Sequence, residues 1–320
     1  MKMNGVLPLQ FALLLVIQIF IAFPKSAHTQ LRNADSTIFY LNPKWSPDGK
    51  RLAFASDFEG KLSVYTINST GTGTRRITDG ISESGLPNWS PDGRSLVYQK
   101  TVEGDLLKLF IYSFNSRKEI QVTQSVTIDY GASWSSANRL CFNSRKDKNA
   151  FNHDICFLDI ASRNLNKITN SQFDYSGPCW SPDGKNLVCI KSILMNKSFA
   201  ESTREEINET RNSSEIVLLK GDGFNISKLT NDSFPNRCPS FSKSGQFIYY
   251  ISQEYSISKI IQYNLKTGNK QTLFTTPEML TNFSVSPDEK YIAYSIKRGG
   301  MYGIFIWDMV GRKERLLIGK

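Results

Sequence analysis

The sequence predicts an all-β fold, a six-bladed β-propeller with four antiparallel strands in each blade. The first observation is a motif, Trp-Ser-Pro-Asp-Gly, at residues 45–49, 89–93 and 180–184, with altered copies beginning at residues 134, 241 and 285. The copies step by 44, 45, 46, 61 and 44 residues, a period that is typical of a repeat protein. The second observation is that each unit contains four β-like runs, the strand count of a propeller blade.

Each copy of the motif is expected to join two strands. Trp45 ends an inner strand, Pro47 fixes φ in the turn, Asp48 accepts from the backbone ahead and Gly49 takes a positive φ. The aromatic residue is interpreted as a wedge between neighbouring sheets, because such rings bury about 150–250 Å² each. From the inner to the outermost strand, the units cover residues 44–78, 88–123, 132–169, 179–230, 239–274 and 283–318.

Two parts of the predicted ring are irregular. A β-like run at residues 36–41 precedes the first unit and could add to the outer edge of the last blade. Alternatively, the final run at residues 315–318 completes that blade unaided. The step of 61 residues places an insertion at about residues 195–213 in blade 4, where we expect an exposed polar loop.

The composition is that of a globular chain with a basic surface. The 320 residues are 40% hydrophobic and 21% charged, and the formal net charge is +10. The basic residues are spread along turns and strand ends without a run of five. We therefore expect the charge to serve solubility, and we expect no nucleic-acid partner.

Residues 1–30 are typical of a signal peptide or an N-terminal anchor. Lys2 supplies a positive end, residues 6–23 are apolar apart from Gln10 and Gln18, and residues 24–30 turn polar. The sequence does not decide between a cleaved signal and an uncleaved anchor. We expect a periplasmic or secreted protein, with membrane contact only if this segment is retained.

The five cysteines fit two interpretations. Export permits disulfides, and Cys141 with Cys156, or Cys179 with Cys238, stand on strands that are predicted to be neighbours. Alternatively, all five are buried reduced thiols that pack as small apolar residues.

The repeat resembles that of a known family. Ile77-Thr78 leads to the motif at residues 89–93, and Ile168-Thr169 leads to the motif at residues 180–184. This pattern resembles the TolB-like (WD-like) propeller repeat, and it covers residues 36–320. The resemblance implies a propeller that binds protein partners in the cell envelope. TolB itself carries an α/β domain before the propeller, and we expect this chain to lack it.

No catalytic or cofactor-binding pattern stands out. There is no Gly-x-Ser-x-Gly elbow, Walker loop or dinucleotide-binding loop. His153 is the one histidine outside the targeting segment, and we expect it to lie exposed in a loop. Of the metal chemistries considered, all-oxygen calcium coordination remains allowed by the residue types. We expect the protein to be no enzyme and to have no cofactor and no metal site.

The segments that lead into the inner strands are expected to converge at one mouth of the channel. Their polar residues are the candidate binding site: Glu83, Asp129, Tyr130, Asp174, Tyr175, Asn236, Arg237 and Asn282. The preferred hypothesis is a protein-interaction module. The alternative is a glycan-binding or glycan-cleaving propeller with Asp129 and Asp174 as its pair of carboxylates. A turn preference of the repeat explains the two Asp-Tyr pairs equally well.

Overall fold

The structure is a computed structural model that describes residues 38–146, 152–169, 173–193, 214–221, 226–232 and 234–319. These residues form six four-stranded antiparallel sheets arranged in a ring. The predicted all-β, six-bladed propeller is confirmed. Within the described ranges the one helical element is a 3₁₀ turn at Glu103–Asp105, and no helix there is long and apolar enough to cross a membrane.

The strands follow the predicted order. Blade 1 contains β1 (Tyr40–Trp45), β2 (Arg51–Ser56), β3 (Ser63–Asn68) and β4 (Arg75–Arg76), and blade 2 contains β5 (Ser84–Trp89), β6 (Ser95–Val102), β7 (Leu106–Ser113) and β8 (Lys118–Gln121). Blade 3 contains β9 (Ile128–Trp134), β10 (Arg139–Arg145), β11 (Asp154–Asp159) and β12 (Leu165–Lys167), and blade 4 contains β13 (Asp174–Trp180), β14 (Asn186–Ser192), β15 (Glu215–Lys220) and β16 (Ile226–Lys228). Blade 5 contains β17 (Asn236–Phe241), β18 (Phe247–Glu254), β19 (Ile257–Asn264) and β20 (Lys270–Thr276), and blade 6 contains β21 (Leu280–Val285), β22 (Tyr291–Arg298), β23 (Met301–Asp308) and β24 (Lys313–Gly319).

The motif forms a turn that is closed by its own side chains. In blade 1 the Ser46 hydroxyl donates to Asp48 Oδ1 at 2.5 Å, and the backbone N–H of Lys50 donates to the same oxygen at 3.0 Å. Gly49 has a φ of 70°. Altered copies keep this geometry, because Asn138 and Glu289 take left-handed φ values of 58° and 57°. The aspartates therefore act as turn residues, as predicted.

The motif aromatic packs between neighbouring blades. Trp45, Trp89 and Trp180 are only 8%, 5% and 4% exposed. In two blades an arginine that begins the second strand lies over the aromatic of the next blade. The Arg51 guanidinium lies 4.7 Å from the Trp89 ring centroid, and that of Arg139 lies 5.0 Å from the Trp180 ring centroid. The predicted wedge is confirmed for these three rings.

The ring closes without exchanging a strand. β24 pairs with β23 within blade 6, so the final strand completes that blade unaided. The inner strand β1 lies beside β21, where the backbone N–H of Trp45 donates to Ser284 Oγ at 3.2 Å. The alternative, in which the early run extends the last blade, is wrong over the described residues, because Tyr40 and Leu41 belong to β1.

The cysteines are all free thiols. Cys141 pairs with Phe157, whereas Cys156 pairs with Phe142, so the two thiols lie on opposite faces of the blade 3 sheet. A disulfide between them is therefore excluded in this register. Burial raises the pKa of the Cys156 thiol to about 11. Cys141, Cys156 and Cys189 are buried, whereas Cys179 and Cys238 are half-buried. The targeting segment and the insertion at residues 195–213 lie outside the described residues.

Candidate functional site

The propeller presents two faces. The upper face is built from the loops between second and third strands and from the connections that lead to the next inner strand. These two kinds of loop touch, since Lys61 Nζ donates to the Ile81 carbonyl at 2.6 Å. The lower face holds the motif turns and the turns between third and fourth strands. All eight predicted site residues lie in the inner strands or in the connections on the upper side.

The two Asp-Tyr pairs are offset by one residue. Asp129 stands five positions before the motif residue Trp134, whereas Asp174 stands six positions before Trp180. Because side chains alternate along a strand, the offset sends Asp129 and Tyr175 to the interior and Tyr130 and Asp174 to the more open side. The fifth position before the motif residue is buried in every blade, where it is Tyr40, Ser84, Asp129, Tyr175, Asn236 or Leu280.

Asp129 is enclosed between blades 2 and 3. Its side chain is 2% exposed, and Oδ2 lies 3.5 Å from the ammonium nitrogen of Lys108, whose side chain is 3% exposed. Hydroxyls of Thr127 and Ser144 each donate to Oδ1 at 2.8 Å. Burial lowers the pKa of Lys108, and the Asp129 carboxylate opposes this shift. Asp129 therefore holds two blades together and is closed to a ligand in this structure.

The structure also corrects the predicted exposure of Tyr175 and Asn236. Tyr175 is 4% exposed and packs in the apolar cluster between blades 3 and 4. Asn236 is 1% exposed, and its side-chain amide donates to Asp232 Oδ1 at 2.6 Å. Both residues were predicted at an exposed mouth, but the inner-strand register turns them inward.

His153 is the residue that the sequence did not predict at this site. Its backbone N–H and its Nδ1 lie 2.6 Å and 2.8 Å from Asp174 Oδ1, and its ring meets the Tyr130 ring edge to face at 5.6 Å. Its side chain is 16% exposed, so the expected exposed loop histidine is wrong. Burial raises the pKa of Tyr130. Through His153, the structure brings Tyr130 and Asp174 together across blades 3 and 4.

The remaining predicted residues have local partners. Arg237 Nη2 donates to Gln253 Oε1 at 3.0 Å within blade 5. Asn282 Oδ1 accepts from the backbone N–H of Phe283 at 2.8 Å. Glu83 is half-buried and lies just before β5. These contacts lie within single blades and do not join the three residues to His153.

The upper-face loops expose apolar side chains that the sequence did not single out. An isolated apolar residue in a loop has no periodic signal, so the pattern becomes visible only in the folded ring. The exposed fractions are 72% for Ile81, 82% for Val126, 39% for Ile193, 85% for Tyr255, 39% for Ile257 and 57% for Met301.

The lower face has a cleft of about 740 Å³ between blades 1 and 6. Trp45 and Tyr291 form one wall, with ring centroids 6.5 Å apart, and Lys243 and Arg315 also line it. The carboxylate of Asp48 in this wall is already held by its own turn. Within the described ranges, no group of three or more His, Cys, Asp or Glu side chains is arranged to hold a metal ion.

Comparison with known proteins agrees with this architecture. The model of the TolB beta propeller domain matches residues 25–188, which is about half of the chain. The Tol-Pal system protein TolB of Syntrophus aciditrophicus (strain SB) is 41% identical over 46 residues, and this match spans 14% of the chain and only 10% of that relative.

Solved structures show the same fold at low identity. TolB from Acinetobacter baumannii is 19% identical with a TM-score of 0.63, covering 90% of this chain and 66% of that one. An oligogalacturonate lyase in complex with manganese is 14% identical with a TM-score of 0.61, covering 87% of this chain and 77% of that one. These likenesses extend to enzymes as well as to TolB, so they establish the fold alone. With the match over residues 25–188, the chain belongs to the TolB β-propeller family.

Proposed function

We propose that the chain is a non-catalytic, exported protein-binding module of the cell envelope, and that its upper face binds the partner. The observation that carries this proposal is the set of six exposed apolar side chains at the upper face, in its loops or at the first residue of an adjoining strand, from Ile81 to Met301. Exposed apolar groups gathered on one face are typical of protein interaction sites. Tyr255 suits the role of an anchor, because its ring is 85% exposed and rests edge on against Phe234 at 5.7 Å.

The charges of the upper face also favour a protein partner. Lys100 Nζ lies 2.9 Å from Asp79 and 2.8 Å from Glu119, and Arg298 Nε lies 2.9 Å from Glu278. These cations are neutralised by the chain itself. The neutralisation of these two cations supports an apolar contact with a polar rim over a contact with a polyanion such as nucleic acid.

The burial of two residues argues against the glycan alternative. A glycan-cleaving site would use Asp129 and Asp174 as its carboxylates, but Asp129 is sealed against Lys108. Tyr175, the second tyrosine of that hypothesis, is packed in the core. This arrangement supports a protein-binding role over glycan cleavage by Asp129 and Asp174.

Family membership and the N-terminal sequence support an envelope location. The TolB relative is named as a protein of the Tol-Pal system. Residues 1–30 have the charge and hydropathy pattern of a targeting segment. Both observations support a periplasmic or secreted location.

Co-purification with substituted chains tests the proposal. The variant V126S/Y255S/M301S removes three apolar side chains from the upper face, and I120S/L165S/L316S removes three from the outer strands as a matched control. We expect the upper-face variant to lose its co-purified partner, with binding weakened at least tenfold, and the control to retain it. Equal retention in both variants, or specific binding to a glycan array that depends on Asp174, would contradict the proposal.

A further inference from the structure

Four turns on the lower face share one geometry. They join the third and fourth strands of blades 2, 3, 5 and 6 through four or five residues, at positions 114–117, 160–164, 265–269 and 309–312. In blade 5 the fourth residue after the third strand is Gly268, with a φ of 73°. The same position holds Arg117, Arg163 and Arg312, with φ values of 56°, 63° and 50°. Three arginines therefore occupy a left-handed position at the tip of the lower face.

Arginine is a poor choice for this backbone conformation. Glycine takes a positive φ without steric crowding, and asparagine or aspartate is the usual substitute. Turn geometry alone does not explain why three blades carry arginine. All three side chains are exposed, so packing does not explain it either. A requirement for positive charge at these tips explains why three blades carry arginine.

Further cations surround the three arginines. We define the lower rim as Arg117, Lys118, Arg163, Lys220, Lys266, Arg312 and Lys313, all of them exposed. Among the described residues, none of these seven takes part in an ion pair. Two cations on the upper side, Lys100 and Arg298, are by contrast paired with carboxylates.

The acidic residues of these turns serve the backbone. Asp159 Oδ1 accepts from the N–H groups of Ala161 and Ser162 at 3.1 Å and 2.8 Å. Asp308 Oδ1 accepts from the N–H groups of Val310 and Gly311 at 2.9 Å and 2.8 Å. These two carboxylates shape their turns, and the motif-turn aspartates of the same face, such as Asp48 and Asp92, are likewise held by their own turns.

We propose that the lower rim docks on the surface of an anionic phospholipid bilayer. The arginine tips come from blades 2, 3 and 6, which lie on opposite sides of the ring. A broad, flat anionic surface meets all of them at once, whereas a narrow chain would meet one side. Val310 is 78% exposed beside Arg312, which suits a contact with lipid better than one with a nucleic acid or a glycan.

This proposal is independent of the proposed function, which concerns the opposite face. A propeller held by its lower rim directs its upper face away from the bilayer, so both contacts can be made together. It is also independent of the targeting segment, because the cations belong to the folded blades.

Vesicle sedimentation tests the proposal with the full chain. Vesicles of phosphatidylcholine are compared with vesicles that contain phosphatidylglycerol, so that any apolar insertion contributes to both. The variant R117G/R163G/R312G removes the charge and supplies the residue that the backbone prefers. The variant R117K/R163K/R312K keeps the charge. K61S/K146S/K297S removes three upper-face cations as a control for net charge.

We expect the wild type to prefer phosphatidylglycerol vesicles and to release them as salt is added. At about fivefold for each cation, the glycine variant should bind them about a hundredfold more weakly. Its melting temperature should stay level or rise. The lysine and upper-face variants should bind within about fivefold of the wild type.

Several results would overturn the proposal. The wild type could fail to distinguish the two kinds of vesicle, or the glycine variant could bind as well as the wild type while folded. An equal loss in the upper-face variant would assign the effect to net charge. Tighter binding to heparin or duplex DNA than to the vesicles, at the same salt concentration, would assign the rim to another polyanion.

Discussion

Single side chains join neighbouring blades in this ring. Lys108 leaves the third strand of blade 2, and Asp129 leaves the inner strand of blade 3, yet their charged atoms lie 3.5 Å apart in the interior. Removing two charges from water is costly, and the cost is offset only when both charges remain paired and hydrogen-bonded. Lys108 also donates to the Thr127 carbonyl, so the pair is held from both sides.

Breaking this pair should destabilise the propeller strongly. We expect Lys108→Met or Asp129→Leu alone to lower the free energy of unfolding by about 3–5 kcal/mol, because each leaves an unpaired buried charge. The double variant K108M/D129L should lose much less unfolding free energy than the sum of the losses in the two single variants. Urea denaturation of all four proteins measures this, and strictly additive losses would show that the two residues do not depend on each other.

The motif tryptophan recurs from blade to blade, but the residue that covers its ring differs, and the burial of the ring differs with it. The Arg139 guanidinium covers the Trp180 ring at 5.0 Å, as Arg51 covers Trp89. At the same strand position blade 2 has Ser95, which is too short to cover the next ring. Trp134 is accordingly half-buried, unlike Trp89 and Trp180.

The variant S95R should therefore cover Trp134. We expect an arginine at this position to stabilise the fold by about 0.5–1 kcal/mol through its contact with the ring face. Tryptophan fluorescence should shift to shorter wavelength as Trp134 loses water, and the melting temperature should rise. The variant S95Q is a control of similar reach without charge. An unchanged spectrum and melting temperature in S95R would show that the covering residue contributes nothing.

The motif turn should respond to acid. The pKa of Asp92 is lowered below its ordinary value of 3.8. The larger cause is the hydrogen bond from the Ser90 hydroxyl, and the next is the hydrogen bond from the backbone N–H of Arg94. A carboxyl whose pKa is lower in the folded state contributes stability above pH 3.8, and this contribution is lost as pH falls through the folded value.

We expect S90A to reduce the difference in unfolding free energy between pH 6 and pH 3. In a D92N background the same substitution should leave that difference unchanged, since no carboxyl remains to titrate. Chemical denaturation at the two pH values checks both statements. An equal effect of S90A in both backgrounds would show that Asp92 is not the group responsible.

At the scale of the whole molecule, the period of the motif was enough to predict the ring. Each copy specifies its own turn through nearby residues such as Ser46, Asp48 and Gly49, so strand count and order follow from local chemistry. The burial of Asp129 at the mouth of the channel could also have been predicted. Aligning Asp129 and Asp174 by their distance from Trp134 and Trp180 shows that they do not occupy equivalent positions.

Contacts between blades could not be predicted from the repeat. Lys108 meets Asp129, and His153 meets Asp174, across blade boundaries that the period does not describe. The exposed apolar groups of the upper face come from several blades, and only closure of the ring gathers them on one face. The candidate binding face therefore depends on the assembled ring, whereas the blades depend on local sequence.

Photo-cross-linking in intact cells tests the central claim, that the upper face binds a protein. A photoreactive amino acid is placed at Val126 or Tyr255 on the upper face, or at Leu165 on the outer strand of blade 3, which is 48% exposed. We predict one protein adduct shared by the two upper-face positions and absent from position 165. The same adduct at all three positions, or no protein adduct at either upper-face position, would contradict the account.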